Sequence, residues 1–191
     1  LPHSAFRYYL IQDYLFLIQF ARAYSLAAYK SENLEDLRAA FESARVITEV
    51  EMALHAQYCM AWGISEAEIL ATPESDENIA YTRYVLDRGM AGDLLDLNVA
   101  LLPCMWGYAE IGKRLNLSTE TKREGNPYFS WIEKYASKDY QEGAKAGLSR
   151  LDRLYLERAG DGRMKGLAQI FRQASRLESQ FWQMGLNALS Q

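Results

Sequence analysis

Histidine and cysteine are scarce in this sequence, and their scarcity removes several kinds of chemistry. The two cysteines, Cys59 and Cys104, lie far apart with no CxxC spacing. A disulfide framework is therefore not expected, and a thiolate metal site has too few ligands. The two histidines, His3 and His55, leave a general base to be sought among the carboxylates. Glu51 and His55 stand at i+4, a loose pair that lacks the Glu-x-x-His spacing of helical di-iron sites. A haem would have to take His3 or His55, and hydrogen bonding within the core is the plainer role for His55. No metal and no cofactor are expected.

Charge of one sign is not concentrated either. The net charge is −4, the pI about 5.3, and lysine and arginine are scattered. A nucleic-acid partner would need a basic stripe that is not there. Asp13, Gln19, Asp96 and Asn98 interrupt the longest apolar stretches, so no run reaches membrane-spanning length. No secretory pattern opens the chain, which makes the cytoplasm the expected compartment. Period-2 strands are missing as well.

What remains reads as one all-α domain, a helical bundle of about seven or eight helices over 191 residues. Ala5 to about Lys30 forms the first helix. Asn33 or Ser31 caps a second that runs to about Trp62, with Gly63 as its stop. Ser65-Glu66-Ala67-Glu68 reads as a capping box, and Glu77 to Arg88 as a helix closed by Gly89. Gly92 to about Leu115 follows, then Asn126-Pro127 as a cap with proline at the first helical position. The last helices span Tyr140 to about Arg158 and Arg163 to Leu189.

The fourth of these long segments holds the most telling residues. Pro103 sits inside an apolar helix, where a proline costs about 3 kcal/mol, and Cys104 follows it one turn before Tyr108. Asp13 lies within the apolar stripe of the first helix, and Glu178 beside the inward face of the last. Each has an aromatic one turn away: Asp13 with Phe16, Cys104 with Tyr108, Glu178 with Phe181. Three such pairs converging in one bundle would make a pocket with a nucleophile, an acid/base and ring-stacking walls. Thirteen tyrosines, flat with a polar tip, suit a planar ligand. Inert packing is the competing role for Cys104 and for most of the tyrosines, and a hydrogen-bonded structural carboxylate the competing role for Asp13.

Several blocks, in order along essentially the whole chain, resemble the TenA/thiaminase II family. They are Phe6-Arg7-Tyr8-Tyr9-Leu10-Ile11-Gln12-Asp13-Tyr14 with Phe20-Ala21-Arg22-Ala23-Tyr24; Glu49-Val50-Glu51-Met52-Ala53-Leu54-His55; Ala80-Tyr81-Thr82; Ala100-Leu101-Leu102-Pro103-Cys104-Met105-Trp106-Gly107-Tyr108-Ala109-Glu110; Asn126-Pro127-Tyr128 with Trp131-Ile132; and Glu178-Ser179-Gln180-Phe181-Trp182. The resemblance implies a haem-oxygenase-like helical fold without haem, usually a homotetramer. It implies hydrolysis in thiamin salvage: deamination of an aminomethylpyrimidine to its hydroxymethyl form, or release of the pyrimidine half of thiamin.

Carried over by resemblance, Cys104 is the nucleophile and Glu178 the proton donor. Asp13 is the carboxylate on the ring's amidine edge; Tyr81, Tyr108 and Tyr135 are pocket tyrosines; Phe16 and Phe181 are ring-contacting walls. Phe16 stands where some members have tyrosine, so one hydroxyl contact is expected to be missing. The family carries a further helix before the segment matching Leu1, so an N-terminal helix is expected to be absent from this chain. A non-catalytic pyrimidine-binding or regulatory protein, and a metal-dependent oxidase on the same scaffold, stand as the alternatives.

Overall fold

The computed structural model describes residues 1–160 and 162–188, and every regular element among them is helical. In chain order these are α1 (His3–Lys30), α2 (Leu34–Arg45), a π-helical segment (Val46–Glu51), α3 (Met52–Ala61), α4 (Glu66–Ala71), α5 (Asp76–Ala91), α6 (Leu94–Leu117), α7 (Phe129–Ala136), α8 (Lys138–Arg158) and α9 (Arg163–Asn187). Because α2, the π segment and α3 run on without a break, the described residues form eight helical rods, within the number expected from periodicity. Leu189, the expected end of the last helix, lies outside the described residues. Among the described residues, no helix is long and apolar enough to cross a membrane.

Local chemistry sets most of the helix ends. The Asn33 side chain accepts from Asp36 N at 2.8 Å and starts α2, as its position in the sequence suggests. Ser65 accepts from Glu68 N at 3.1 Å, but the reciprocal half of the box is absent. Glu68 instead meets Arg7 of α1 at 3.3 Å, a long-range partner that outcompetes the local one. A complete capping box does form where none was expected, between Asp93 and Asp96 at the start of α6. Arg163 reaches both carboxylates at 2.7 Å and pins the start of α9 to the start of α6.

Two glycine and proline expectations need correction. Gly89 does not close α5, which runs on to Ala91; it is buried inside the helix, where an added Cβ would lie 2.8 Å from both Leu26 and Leu97. The glycine is there for close approach to α1 and α6. Asn126-Pro127 does not open α7 directly. Asn126 Oδ1 accepts from Tyr128 N at 3.0 Å, which makes a turn first, and the helix starts at Phe129.

One apolar cluster joins the rods, with α1 and α6 as its two long central members. α1 packs on α2, α3, α5 and α9, and α6 on α5, α7, α8 and α9. A buried amide lattice fixes the register of α5 on α1: Asn78 Nδ2 donates to Gln12 O at 2.9 Å and to Gln12 Oε1 at 3.0 Å, while Gln12 Nε2 donates to Pro73 O at 2.9 Å. On the other side, Gly112 lets α7 seat against α6, since a Cβ there would come within 2.6 Å of Tyr135. The space between α1, α5, α6, α7 and α9 is where the sequence-derived residues meet.

Candidate active site

α6 continues as a helix through Pro103, which is itself buried. Residue 103 has no amide hydrogen, so the carbonyl of Val99 lacks its usual helical donor. Cys104 keeps part of its surface accessible, while its thiol is buried. Burial first, and then the negative charges of Glu178, Asp13 and Glu51, push that thiol well above the ordinary cysteine range. The resting sulfur is therefore a protonated thiol, and a nucleophilic thiolate has to be generated during reaction.

Glu178 projects from α9 into the same space and is buried. Burial lifts its carboxyl from 4.5 to about 7, with the Asp13 charge adding to the rise and Tyr81 and Trp182 beside it holding it back. The Tyr81 hydroxyl, the Trp182 indole nitrogen and Glu178 Oε2 are nevertheless buried without well-formed hydrogen-bond partners among the described residues. One oxygen of this carboxyl and two polar atoms beside it are thus unpartnered groups held ready for something else to bind or react. Tyr81 also borders the backbone of Cys104, so it neighbours both the acid and the cysteine.

Asp13 reaches the site from α1, and its neighbours fix the direction of every proton around it. Trp131 Nε1 can only donate, and it donates to the Tyr9 hydroxyl at 3.3 Å. The Tyr9 hydroxyl donates to Asp13 Oδ2 at 3.2 Å. With its single hydrogen spent, Tyr9 must accept from Tyr108 across their 3.1 Å contact. The chain thus runs Tyr108 to Tyr9 to Asp13, and the oxygen of Tyr108 is left free to accept from a ligand. Burial raises the Asp13 carboxyl, the charges of His55 and Lys134 and the Tyr9 hydrogen bond lower it, and Glu51 raises it again.

Aromatic rings wall the space. Tyr9 stacks on Trp182 with centroids 4.9 Å apart and planes 11° apart. Tyr108 lies 4.7 Å from Tyr135 and 5.2 Å from Trp182. Phe16 packs 5.3 Å from Tyr81 and 5.2 Å from Phe181, which closes the α1–α5–α9 side. All eight residues singled out from the sequence, Asp13, Phe16, Tyr81, Cys104, Tyr108, Tyr135, Glu178 and Phe181, border this one region. The pairing expected within α1 differs in detail: the polar partner of Asp13 is Tyr9, one turn before it, and Phe16 belongs to the Phe181 wall.

Other residues belong here that sequence reasoning passed over. Glu51, at the end of the π segment, takes Lys134 Nζ at 2.7 Å, and Lys134 also lies 5.4 Å over the Tyr135 ring. Tyr140 donates to Met105 O at 3.3 Å and Gln141 to Ala109 O at 2.8 Å, which hold α8 on α6 just past Cys104. His55 is bound to Leu10 O at 2.8 Å and faces Asp13. Glu51 and His55, the loose i+4 pair, are thus each engaged with a different helix. Tyr9 was readable as a residue one turn from Asp13; Lys134 and Tyr140 left no local signal. A separate apolar groove of about 590 Å³ between α6, α8 and α9, lined by Leu95, Leu151, Met164 and Phe171, contains none of the eight.

The chain matches the TENA/THI-4/PQQC family over residues 1–188. It is 39% identical over 187 residues to an uncharacterized protein of Haemophilus influenzae, covering 98% of this chain and 86% of the relative. It is 36% identical over 188 residues to an aminopyrimidine aminohydrolase of Halalkalibacterium halodurans, covering 98% and 83%. Among solved structures, a TenA family transcription regulator from Silicibacter sp. TM1040 superposes with a TM-score of 0.89 at 45% identity, covering 97% of this chain and 83% of that one. A TenA homologue from P. horikoshii OT3 gives 0.84 at 26% identity, covering 97% and 84%. With a match that runs almost from end to end, and with the fold repeated in TenA structures, this chain belongs to the TENA/THI-4/PQQC family.

Proposed function

We propose that this protein is a thiamin-salvage hydrolase acting on an aminopyrimidine. It converts an aminomethylpyrimidine and water to the hydroxymethylpyrimidine and ammonia, or hydrolyses thiamin to hydroxymethylpyrimidine and thiazole. The observation that carries this reading is the convergence of Cys104, Glu178 and Asp13, from three helices, on one aromatic-walled space. The relative from Halalkalibacterium halodurans, named an aminopyrimidine aminohydrolase, supports the substrate class.

In this reading the pyrimidine lies among the rings of Phe16, Phe181, Tyr108 and Tyr135, with its exocyclic amino group donating to Asp13. A flat π-face and an apolar wall fix its orientation and exclude water. The Cys104 thiol passes its proton to the Glu178 carboxylate as sulfur bonds to the electron-poor ring. Glu178, now the acid, gives that proton to the leaving amine of an aminomethylpyrimidine as the bond to the exocyclic methylene breaks, whereas the thiazole of thiamin leaves as the neutral base and the proton passes to solvent. Water adds to the methylene and loses a proton to Glu178, and the sulfur–carbon bond then breaks with the proton returning to sulfur. A carboxyl that titrates near 7 suits both halves of this exchange. No step calls for a metal or an organic cofactor.

Incubation with aminomethylpyrimidine and with thiamin, followed by mass detection of hydroxymethylpyrimidine and an ammonia assay, tests the reading. Product from either substrate is expected. Tight binding with no product from either would instead make the chain a pyrimidine-binding protein. The same reading includes the family's homotetramer, which light scattering on the eluting protein would register as four chains.

A further inference from the structure

His55 lies buried on α3 with its ring held between two acceptors. Nε2 is 2.8 Å from the Leu10 carbonyl oxygen, which can only accept, so Nε2 carries a hydrogen. Nδ1 is 3.5 Å from Asp13 Oδ2, at ion-pair distance. A lone pair on Nδ1 facing a bare carboxylate oxygen inside the core would repel it, and a proton between the two atoms turns the contact attractive. The other groups around Asp13 are Tyr9 on its own helix, Glu51 on the π segment, Tyr108 on α6, and Trp131 and Lys134 on α7. Of these, Lys134 is already paired with Glu51 at 2.7 Å, which leaves the His55 ring as the neighbour that Asp13 does not share with another carboxylate.

The two oxygens of Asp13 differ as a result. Tyr9 and His55 both address Oδ2, and no donor among the described residues meets Oδ1. We propose that His55 is a positioning residue: with Nε2 tied to Leu10, its Nδ1 edge holds Oδ2 of Asp13 through a proton between the two atoms and turns Oδ1 toward the substrate as the single ring-binding oxygen. This rests on the reading of Asp13 as the pyrimidine-binding carboxylate and refines it, because the carboxylate then grips the ring through one oxygen rather than two. The amino group of the substrate donates to Oδ1, and the free acceptor position on Tyr108 lies next along the same hydrogen-bonded chain.

Two substitutions separate positioning from packing, since a glutamine amide nitrogen takes the place of Nε2 and an asparagine amide nitrogen that of Nδ1. His55→Gln keeps the Leu10 bond and loses the donor to Asp13. His55→Asn keeps a donor toward Asp13 and loses the Leu10 bond. The proposal expects His55→Gln to raise KM, and the Kd for hydroxymethylpyrimidine, about tenfold, the scale of one charge-assisted hydrogen bond, with kcat nearly unchanged. His55→Asn should stay within about threefold of the parent. The opposite order, Asn impaired and Gln near normal, would mean that His55 only ties α3 to α1 and would overturn the proposal.

Titration of the parent protein with hydroxymethylpyrimidine separates this proposal from the function it rests on. A folded parent that does not bind counts against the proposed function; a parent that binds, with His55→Gln binding as tightly, overturns the clamp.

Discussion

Glu178→Gln should make this protein more stable, and more so the higher the pH. Burial holds the carboxyl at about 7 in place of 4.5. At ~1.4 kcal/mol for each tenfold change in proton affinity, that displacement charges the folded state about 3 kcal/mol once Glu178 is ionised. The sign follows from proton counting. Between the two values the folded protein holds a proton that the unfolded chain has released, so stability falls as pH rises from 4.5 through 7. It is unaffected by this group below 4.5. Glutamine cannot ionise, and its amide can still take the Tyr81 hydroxyl that lies beside position 178. The expected gain is about 2–3 kcal/mol at pH 8 and below about 1 kcal/mol at pH 5. For a chain of this size that is roughly 4–10 °C in Tm at pH 8. Thermal unfolding of parent and variant at both pH values measures it, and subtracting one from the other cancels the remaining titrations. An equal gain at pH 5 and pH 8, or a loss at pH 8, would refute the claim that Glu178 is an acid strained by burial. The same variant should be inactive on aminomethylpyrimidine, so that stability and turnover move in opposite directions.

Cys104→Ser should lower kcat by at least ~10³-fold while leaving the Kd for hydroxymethylpyrimidine within about threefold, because a hydroxyl cannot replace the thiol as nucleophile; isothermal titration and a product assay on one preparation check both halves. Asp13→Asn should weaken that binding by about tenfold or more through loss of the acceptor charge, and unchanged affinity would make Asp13 structural. The rate on aminomethylpyrimidine should change with an apparent pKa near 7, the value at which Glu178 titrates, and Glu178→Gln should abolish the turnover that shows it. Gly112→Ala should cost roughly 1–3 kcal/mol in urea unfolding, since its methyl group would sit 2.6 Å from Tyr135 Cβ.

Residues that act within one helix were legible in advance. The i+4 step from Cys104 to Tyr108, the Asn33 cap and the stop at Gly63, whose φ is +69°, each depend on neighbours in sequence. Where a distant partner intervened, local reading went astray. Glu68 reads as half of a capping box and is taken by Arg7. Gly89 reads as a helix stop and is a contact point for Leu26 and Leu97. His55 reads as a core histidine, which it is, but nothing near it in the chain points to Asp13.

By itself the sequence determined that the chain folds as α-helices with their apolar stripes turned inward, and which side chains with reactive groups ride on those stripes. Periodicity, caps and composition are properties of short stretches, and they need no knowledge of what packs against them. Only the tertiary structure decided what those groups can do. It packed α1, α6 and α9 so that Asp13, Cys104 and Glu178 share one low-dielectric space, and their mutual charges and burial then set which of them holds a proton. It also gave the two oxygens of one aspartate different neighbours, by bringing His55 of α3 against α1. Protonation states and hydrogen-bond directions depend on distances between helices, and those distances exist only once the bundle is closed.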